Sequence, residues 1–166
     1  MLLVVRHADA GDTRSWKGPD SLRPLSPAGL RQADGLVVRL DDYPIDRILS
    51  GPALRCQQTA QPLARDRFLR VEPVAWLGVA ARPHQARAVL WDPKLGNTVL
   101  CTHGETIGRL LAELVADGLV VEDPLDFPVD FPEGSAWLLQ RIHRRQVVGR
   151  LLAPLALEDL RPLAST

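Results

Sequence analysis

The chain opens with Leu2-Leu3-Val4-Val5-Arg6-His7-Ala8-Asp9-Ala10-Gly11, in which four consecutive aliphatic residues are followed directly by a cation and an imidazole. Such an apolar run predicts a strand that is buried on both faces. Open α/β sheets bind their ligands at the carboxyl ends of parallel strands. We therefore expect Arg6 and His7 to project into a crevice at this end of the sheet.

The Arg6-His7 pair is suited to phosphoryl chemistry. A histidine can act as a nucleophile near neutral pH, and a neighbouring guanidinium binds a phosphoryl group through charge-assisted, often bidentate hydrogen bonds. An isolated dipeptide of this kind is more often a surface Arg-His that ends a strand. The assignment therefore depends on what the rest of the chain places beside it.

The composition is that of an ordinary globular protein. The 166 residues fit one domain, with 46% hydrophobic and 24% charged residues. Because 20 Lys and Arg balance 20 Asp and Glu, the charge gives no case for nucleic-acid binding. The chain opens without a basic leader and has no apolar run of about 20 residues, so we expect a cytoplasmic protein without membrane association. The two cysteines, Cys56 and Cys101, are expected to be reduced core thiols.

The alternation of strand and helix patterns predicts an α/β fold, a single three-layer αβα domain over residues 1–166. The central sheet is expected to be mainly parallel, with helices on both faces and a late antiparallel edge hairpin. The predicted strands after the first are residues 46–50, 69–74, 98–102, 136–142 and 147–152. The predicted helices run from Pro27 to about Asp42, from Leu54 onward, over residues 83–91 and after His103, with a Pro-rich connection at residues 118–134 and a C-terminal tail.

Two further strand ends carry candidate phosphate-binding residues. Ser50 ends one predicted strand and Arg55 lies in the first turn of the next helix. Thr102-His103-Gly104 follows another apolar strand and opens another helix. Backbone N–H groups and the positive end of the helix dipole favour anions at such junctions. One crevice is therefore expected to gather two histidines and two arginines.

The segment of residues 11–27 is a long loop rich in Gly, Pro, Ser, Asp and Arg. Loops of this length in compact domains are often functional. Trp16, Lys17 and Arg23 are its most distinctive side chains. Two interpretations are open, a lid that contacts the substrate and a loop pinned by a buried indole.

The joint pattern resembles the histidine phosphatase superfamily, whose opening motif is usually Arg-His-Gly. Ala8 is the third residue here, as in the small phosphohistidine-phosphatase-like members. The loop of residues 9–25 is similar to that of the phosphatase domain fused to Nudix hydrolases in actinobacterial proteins, although we find no Nudix segment in these 166 residues. The resemblance covers nearly the whole chain and is carried by residues 4–8, 25–29, 32–33, 50–60, 102–104 and 132–135.

This resemblance implies a metal-independent phosphatase that needs no cofactor. It makes His7 the nucleophile, with Arg6, Arg55 and His103 forming the phosphate pocket. Further candidates for substrate contacts are Ser50, Gly104, Arg23 and Trp16. The expected partner is a phosphorylated small molecule, nucleotides included, or a phosphohistidine protein, and the oligomeric state is left open.

The proton donor is the main departure from the family pattern. Many members place a Glu shortly after the third strand, where this chain has Ala75-Trp76-Leu77-Gly78-Val79. Glu72, Asp9 and Glu105 are the available substitutes, and none matches that slot. A missing acid favours good leaving groups, such as a phosphate in an anhydride or phosphohistidine, over sugar monoesters, and it counts against a mutase.

Two other readings of the same residues are weighed. A catalytically weak phosphate-binding or signalling module would keep the pocket without the acid. A metallohydrolase would use His7 and His103 as ligands, but the sequence offers no close His, Asp or Glu cluster to complete such a site.

Overall fold

The structure, a computed structural model, describes residues 1–79, 82, 84–121, 131–143 and 146–155. The strands within these residues are β1 Leu2–Arg6, β2 Arg47–Ser50, β3 Val71–Pro73, β4 Thr98–Thr102, β5 Val120–Val121, β6 Ala136–His143 and β7 Gln146–Leu152. The α-helices are α1 Pro27–Arg39, α2 Leu54–Asp66, α3 His84–Trp91 and α4 Gly104–Ala116, and short 3-10 turns form at Thr13–Ser15, Asp20–Leu22, Ala75–Leu77 and Pro93–Leu95.

The strands form one sheet in the order β3-β2-β4-β1-β6-β7-β5. β1, β2, β3 and β4 are parallel neighbours, and β6 runs antiparallel to both β1 and β7. The α/β class, the mainly parallel sheet and the late antiparallel hairpin are therefore confirmed. The two-residue strand β5, which lies in the predicted connection, pairs parallel with β7 and forms the outermost strand on that side.

The core lies on both faces of the sheet. Leu3 and Val5 pack with α1 and α2 on one face, whereas Leu2 and Val4 pack with α3 and α4 on the other. All four side chains are at most 1% exposed. Burying an aliphatic side chain of this size contributes about 1.5–3 kcal/mol, so an apolar run with no polar alternation is what a strand covered on both faces requires.

Two elements are shorter than the sequence pattern predicts. α1 begins as predicted, with Ser26 as N-cap and Pro27 at its first position, but it ends at Arg39 and not near Asp42. From Leu40 onward the chain leaves the helix in tight turns, because the N–H groups of Asp41 and Tyr43 bond to the carbonyls three residues back, those of Val38 and Leu40. The third strand also begins later than predicted, because Leu69 still donates its N–H to the Ala64 carbonyl at the end of α2.

Several predicted features lie outside the described residues. They are the start of the third helix at Pro83, the hairpin turn at residues 144–145, residues 122–130 of the connection and the tail from residue 156. Cys56 and Cys101 are both free and buried. Among the described helices, none combines the length and the apolar character needed to cross a membrane.

Candidate active site

A cleft of about 340 Å³ opens at the carboxyl edge of the parallel strands. The register of the sheet forms it, because Val5 of β1 and Ser50 of β2 both lie beside Cys101 of β4. The residues that follow these strands therefore meet at one edge. Of the eight candidate residues from the sequence, six line the cleft: Arg6, His7, Arg23, Arg55, His103 and Gly104.

His7 lies directly after β1 and presents one ring nitrogen to the cleft. Its Nδ1 is 2.9 Å from the carbonyl oxygen of Ala8, so Nδ1 carries the proton and donates it. The other nitrogen, Nε2, then holds the lone pair and accepts from Nε of Arg55 at 3.3 Å. Burial, together with the nearby positive charge of Arg55 and Arg6 and the ring of His103, lowers the pKa of His7 to about 4. The imidazole is therefore neutral at neutral pH.

Arg55 is a buried arginine, only 4% exposed, in the first turn of α2. Its Nη1 donates to the backbone oxygen of Asp20 at 2.7 Å, and its Nη2 donates to Oδ2 of Asp20 at 2.9 Å. Gly51 allows the preceding turn to pack closely, because a Cβ there would lie 2.6 Å from the backbone oxygen of Leu77. Only glycine fits this approach.

Arg6 ends β1 and reaches across the cleft toward the segment before β6. Its Nη1 donates to the backbone oxygen of Phe131, and its Nη2 is 3.4 Å from Oε1 of Glu133. Its Nε is buried and finds no acceptor among the described residues. An unsatisfied buried donor is costly, so this N–H is available to an oxygen of a bound anion.

His103 precedes the first residue of α4 and lies beside His7. The two rings are 5.1 Å apart between centroids and meet edge to face at 73°. His103 is 2% exposed, and its Nε2 is 3.6 Å from Sγ of Cys56. Gly104 begins α4, so the amino-terminal end of this helix, where the dipole favours anions, borders the cleft.

Ser50 is one of the two predicted residues that the structure does not bring to the cleft. It is completely buried, and its hydroxyl donates to the backbone oxygen of Gly51 at 2.9 Å. The side chain therefore lies behind the cleft wall. The predicted position of Ser50 at the end of a strand is confirmed, but its side chain is buried in the core.

Trp16 is the other, and it lines a separate pocket of about 190 Å³ that shares Gly11 and Arg23 with the cleft. The indole is 38% exposed and donates Nε1–H to the Pro19 carbonyl at 3.0 Å. A buried indole therefore does not pin the loop. Arg23 fixes the loop instead, through hydrogen bonds from Nη1 to the backbone oxygens of Ala10 at 2.8 Å and Gly11 at 3.1 Å.

The structure places two further carboxyl groups in the cleft that the sequence pattern did not identify as site residues. Asp20 lies in the 3-10 turn Asp20–Leu22 and contacts both Arg23 and Arg55. Its i,i+3 spacing from Arg23 was the one signal available in the sequence. Glu133 lies before β6 and contacts Arg6. Its sequence carried no comparable signal, because the partner is 127 residues away.

The three carboxylates that the sequence offers as substitutes for a proton donor lie in three different environments. Glu72 forms a bidentate pair with Arg47 at 2.6 and 2.8 Å between β2 and β3, outside the cleft. Asp9 accepts a hydrogen bond from the Ser26 hydroxyl near the start of α1. Glu105 lines the cleft as an exposed residue of the first turn of α4. Within the described ranges, no three His, Cys, Asp or Glu side chains are grouped as metal ligands would be.

Comparisons with known proteins point to one family. The sequence profile of the histidine phosphatase superfamily (branch 1) matches residues 2–78. The 8-oxo-(d)GTP phosphatase of Mycolicibacterium smegmatis is 36% identical over 115 residues, which cover 66% of this chain and 36% of that protein. The chain thus spans about a third of the length of this curated relative.

Solved structures share the fold over most of the chain. A protein of Agrobacterium tumefaciens that bears the name of the phosphohistidine phosphatase SixA superposes with a TM-score of 0.67 and 27% identity, covering 93% of this chain and 96% of that one. The protein histidine phosphatase SixA in complex with tungstate superposes with a TM-score of 0.70 and 21% identity, covering 96% and 99%. Because the tungstate complex is only 21% identical to this chain, its similarity establishes the fold alone.

Proposed function

We propose that the chain, whose residues 2–78 match the sequence profile of the histidine phosphatase superfamily (branch 1), is a phosphatase that works through a covalent phosphohistidine on His7. The observation that carries the proposal is the state of the His7 ring. Its Nδ1 is bound to the Ala8 carbonyl, its pKa is lowered to about 4, and its unprotonated Nε2 accepts from Nε of Arg55, another residue that lines the cleft. A neutral imidazole with a directed lone pair is what nucleophilic attack on phosphorus requires.

The proposed reaction has two steps. In the first, the Nε2 lone pair of His7 forms a bond to phosphorus while the bond to the leaving group breaks, and the leaving group takes that electron pair and a proton supplied by an acid. In the second, a water oxygen forms a bond to phosphorus and the N–P bond breaks, so its electron pair returns to Nε2, while the water gives up one proton, which regenerates that acid. The sum is substrate plus water giving the dephosphorylated product plus phosphate.

The hydrogen-bond donors of the cleft have the role of holding the phosphoryl oxygens. Arg6 offers its unsatisfied Nε–H, Arg55 offers a buried guanidinium, and His103 lies against the His7 ring. Gly104 adds the amino-terminal end of α4 to the same pocket. Donors placed in advance around the developing charge are worth about a hundred- to a thousandfold in rate each. Ser50 is left out of this proposal because its hydroxyl is buried behind the wall.

The proposed substrate is a phosphorylated small molecule or a phosphohistidine protein, cleaved as an anhydride, a monoester or a phosphoramidate. The relative named as an 8-oxo-(d)GTP phosphatase supports a nucleotide. The relative bearing the SixA name supports phosphohistidine. No metal or other cofactor takes part in the proposed steps.

Trapping the phosphoenzyme tests the proposal. The protein is mixed for milliseconds with radiolabelled acetyl phosphate and with labelled nucleoside diphosphates, quenched in alkali, and examined for an acid-labile, alkali-stable phosphoamino acid. We expect label on wild type and on His84→Ala, whose histidine is exposed at the start of α3. We expect none on His7→Ala. Label that survives His7→Ala would overturn the proposal.

A weak phosphate-binding or signalling module is the second candidate. The observation that favours it is the turn Ala75–Leu77 after β3, which carries no carboxylate at the place where many members of the family have their proton donor. Calorimetric binding of phosphate by wild type, with neither phosphoenzyme nor phosphate release from aryl phosphates, acetyl phosphate, nucleoside diphosphates and a phosphohistidine peptide, would favour this candidate.

A further inference from the structure

Glu133 is a carboxyl group in the cleft to which the proposed mechanism so far gives no role. Its side chain lines the same cavity as His7 and Arg6 and is 34% exposed. The next residue, Gly134, directs its N–H at the backbone oxygens of Arg6 at 3.3 Å and His7 at 3.4 Å. The segment that carries Glu133 is therefore tied to the backbone of the nucleophile.

Glu133 lies near the carboxyl group of Asp9, and the charge of Asp9 raises the pKa of Glu133. Two neighbouring carboxyl groups repel each other when both are ionised, so the site favours keeping a proton on one of them. The surroundings of each group decide which of the two is the better acid.

Asp9 is the better anion of the two. Its carboxylate accepts a hydrogen bond from the Ser26 hydroxyl and another from the N–H of Gly11 at 3.1 Å, and these bonds lower its pKa. The positive charge of Arg23 acts in the same direction. These surroundings therefore favour the ionised form of Asp9.

Glu133 is the better acid. Burial raises its pKa and the adjacent Asp9 raises it further, while Arg6 and, more weakly, Arg23 oppose the shift without cancelling it. Its contact with Arg6 is long, at 3.4 Å. A phosphoryl dianion bound to Arg6 adds negative charge near Glu133, which favours the protonated carboxyl once more. Paired carboxyl groups whose pKa values are driven apart are a recurrent source of general acids.

We propose that Glu133 is the proton donor to the leaving group, and that Asp9 is the positioning residue that keeps the proton on it. The inference rests on the phosphatase function proposed above. When Nε2 of His7 bonds to phosphorus, the leaving oxygen keeps the electron pair of the broken P–O bond and takes the Glu133 proton. In the second step, the ionised Glu133 takes a proton from the attacking water, which restores the acid.

This assignment supplies the group that the segment after β3 lacks, where Ala75–Leu77 forms a turn without a carboxylate. It also changes the expected range of substrates. With a general acid in the cleft, esters whose leaving alcohol is a poor leaving group become substrates as well as anhydrides.

The test compares Glu133→Gln with wild type on aryl phosphates of graded leaving-group pKa. Phenyl phosphate releases a phenol with a pKa of about 10, like that of tyrosine, and needs protonation, whereas p-nitrophenyl phosphate releases a much more acidic phenol and needs little. We expect kcat/KM to fall about 100-fold on phenyl phosphate and only a few fold on p-nitrophenyl phosphate. In wild type, kcat should fall at alkaline pH as Glu133 loses its proton. We expect this fall to be absent in Glu133→Gln.

Glu105→Gln is the matched control, because Glu105 is another carboxylate at the cleft but is not paired with Asp9. Any effect of this change should be equal on the two aryl phosphates. Asp9→Asn tests the proposal independently if Glu133→Gln does not fold. Removal of the Asp9 charge lowers the pKa of Glu133, so the alkaline limb of the kcat profile should move to lower pH.

An equal loss on both aryl phosphates in Glu133→Gln, or an alkaline limb that Asp9→Asn leaves in place, would overturn this inference while the phosphatase function stands. A wild-type protein that forms no phosphoenzyme and hydrolyses neither compound would overturn both. The two failures are therefore distinguishable.

Discussion

Asp20 binds the Arg55 guanidinium at two points, with Oδ2 accepting from Nη2 at 2.9 Å and the backbone oxygen accepting from Nη1 at 2.7 Å. The second carboxylate oxygen, Oδ1, accepts from Nε of Arg23 at 2.9 Å. One carboxylate thus engages two arginines of the cleft. A bound phosphoryl group must compete with Asp20 for these donors.

The first prediction concerns this competition. Asp20→Asn preserves the size of the side chain but removes its charge, so we expect inorganic phosphate to bind more tightly. Because the Asp20 side chain is 52% exposed, the ion pair is screened by water. We expect a gain of about 1 kcal/mol, which is about fivefold in Kd, measured by calorimetric titration at low salt.

Asp12→Asn is the control for this measurement. Asp12 belongs to the same loop but pairs with the exposed Arg14 at 3.3 Å, so its removal should leave the Kd for phosphate unchanged. Weaker phosphate binding by Asp20→Asn would contradict the prediction. It would mean that the carboxylate orients the arginines for the anion more than it competes with it.

The parts of the site that follow apolar strands were predictable from the sequence. The runs before His7 and His103 show no polar alternation, so each reads as a strand buried on both faces, and the polar residue at its end must face the sheet edge. The helix start at Ser26-Pro27 was equally readable, because the cap and the proline act locally.

The parts that depend on long-range approach were not predictable. Glu133 meets Asp9 and Arg6 only because β6 pairs antiparallel with β1, and nothing in its local sequence records that pairing. Ser50 shows the converse, since a strand-end position does not fix whether a side chain faces the cleft or the core. The predicted range of β3 is too long because the turn that closes α2 also contains apolar residues.

The second prediction concerns the protonation of His7. Its pKa is lowered to about 4, mainly by burial, from an ordinary value of 6.5. The ring should therefore remain neutral throughout the range in which an exposed histidine gains its proton. An NMR titration of the His7 ring signals between pH 3 and 8 should show its inflection near pH 4. An inflection near 6.5 would contradict the lowered pKa and the effect of burial on this ring.

The same shift has a consequence for stability. Between pH 6.5 and about 4 the unfolded chain binds a proton at His7 that the folded protein does not. The free energy of unfolding therefore falls as pH decreases through this window, by about 3 kcal/mol in total. Urea denaturation of wild type and His7→Asn should show this pH-dependent component only in wild type. Parallel curves for the two proteins would contradict the assignment.

The third prediction concerns Trp16 and the part of the substrate beyond the phosphoryl group. The indole is held in place by its hydrogen bond to Pro19 and by Gly18, where a Cβ would lie 3.1 Å from the ring. It nevertheless remains 38% exposed, in the pocket that adjoins the cleft. A fixed, half-exposed aromatic ring beside a phosphate site is suited to stacking against a base or aryl group.

We therefore expect Trp16→Ala to raise KM for a nucleoside diphosphate about tenfold, since stacking of a base on an aromatic side chain is worth about 1–3 kcal/mol. KM for pyrophosphate, which has no base, should change little, and kcat should change little for both. Trp16→Phe should recover part of the loss, because it restores a ring. If both substrates lose equally, the indole supports the loop and Arg23 and does not contact the base, and a lowered Tm of Trp16→Ala would accompany that result.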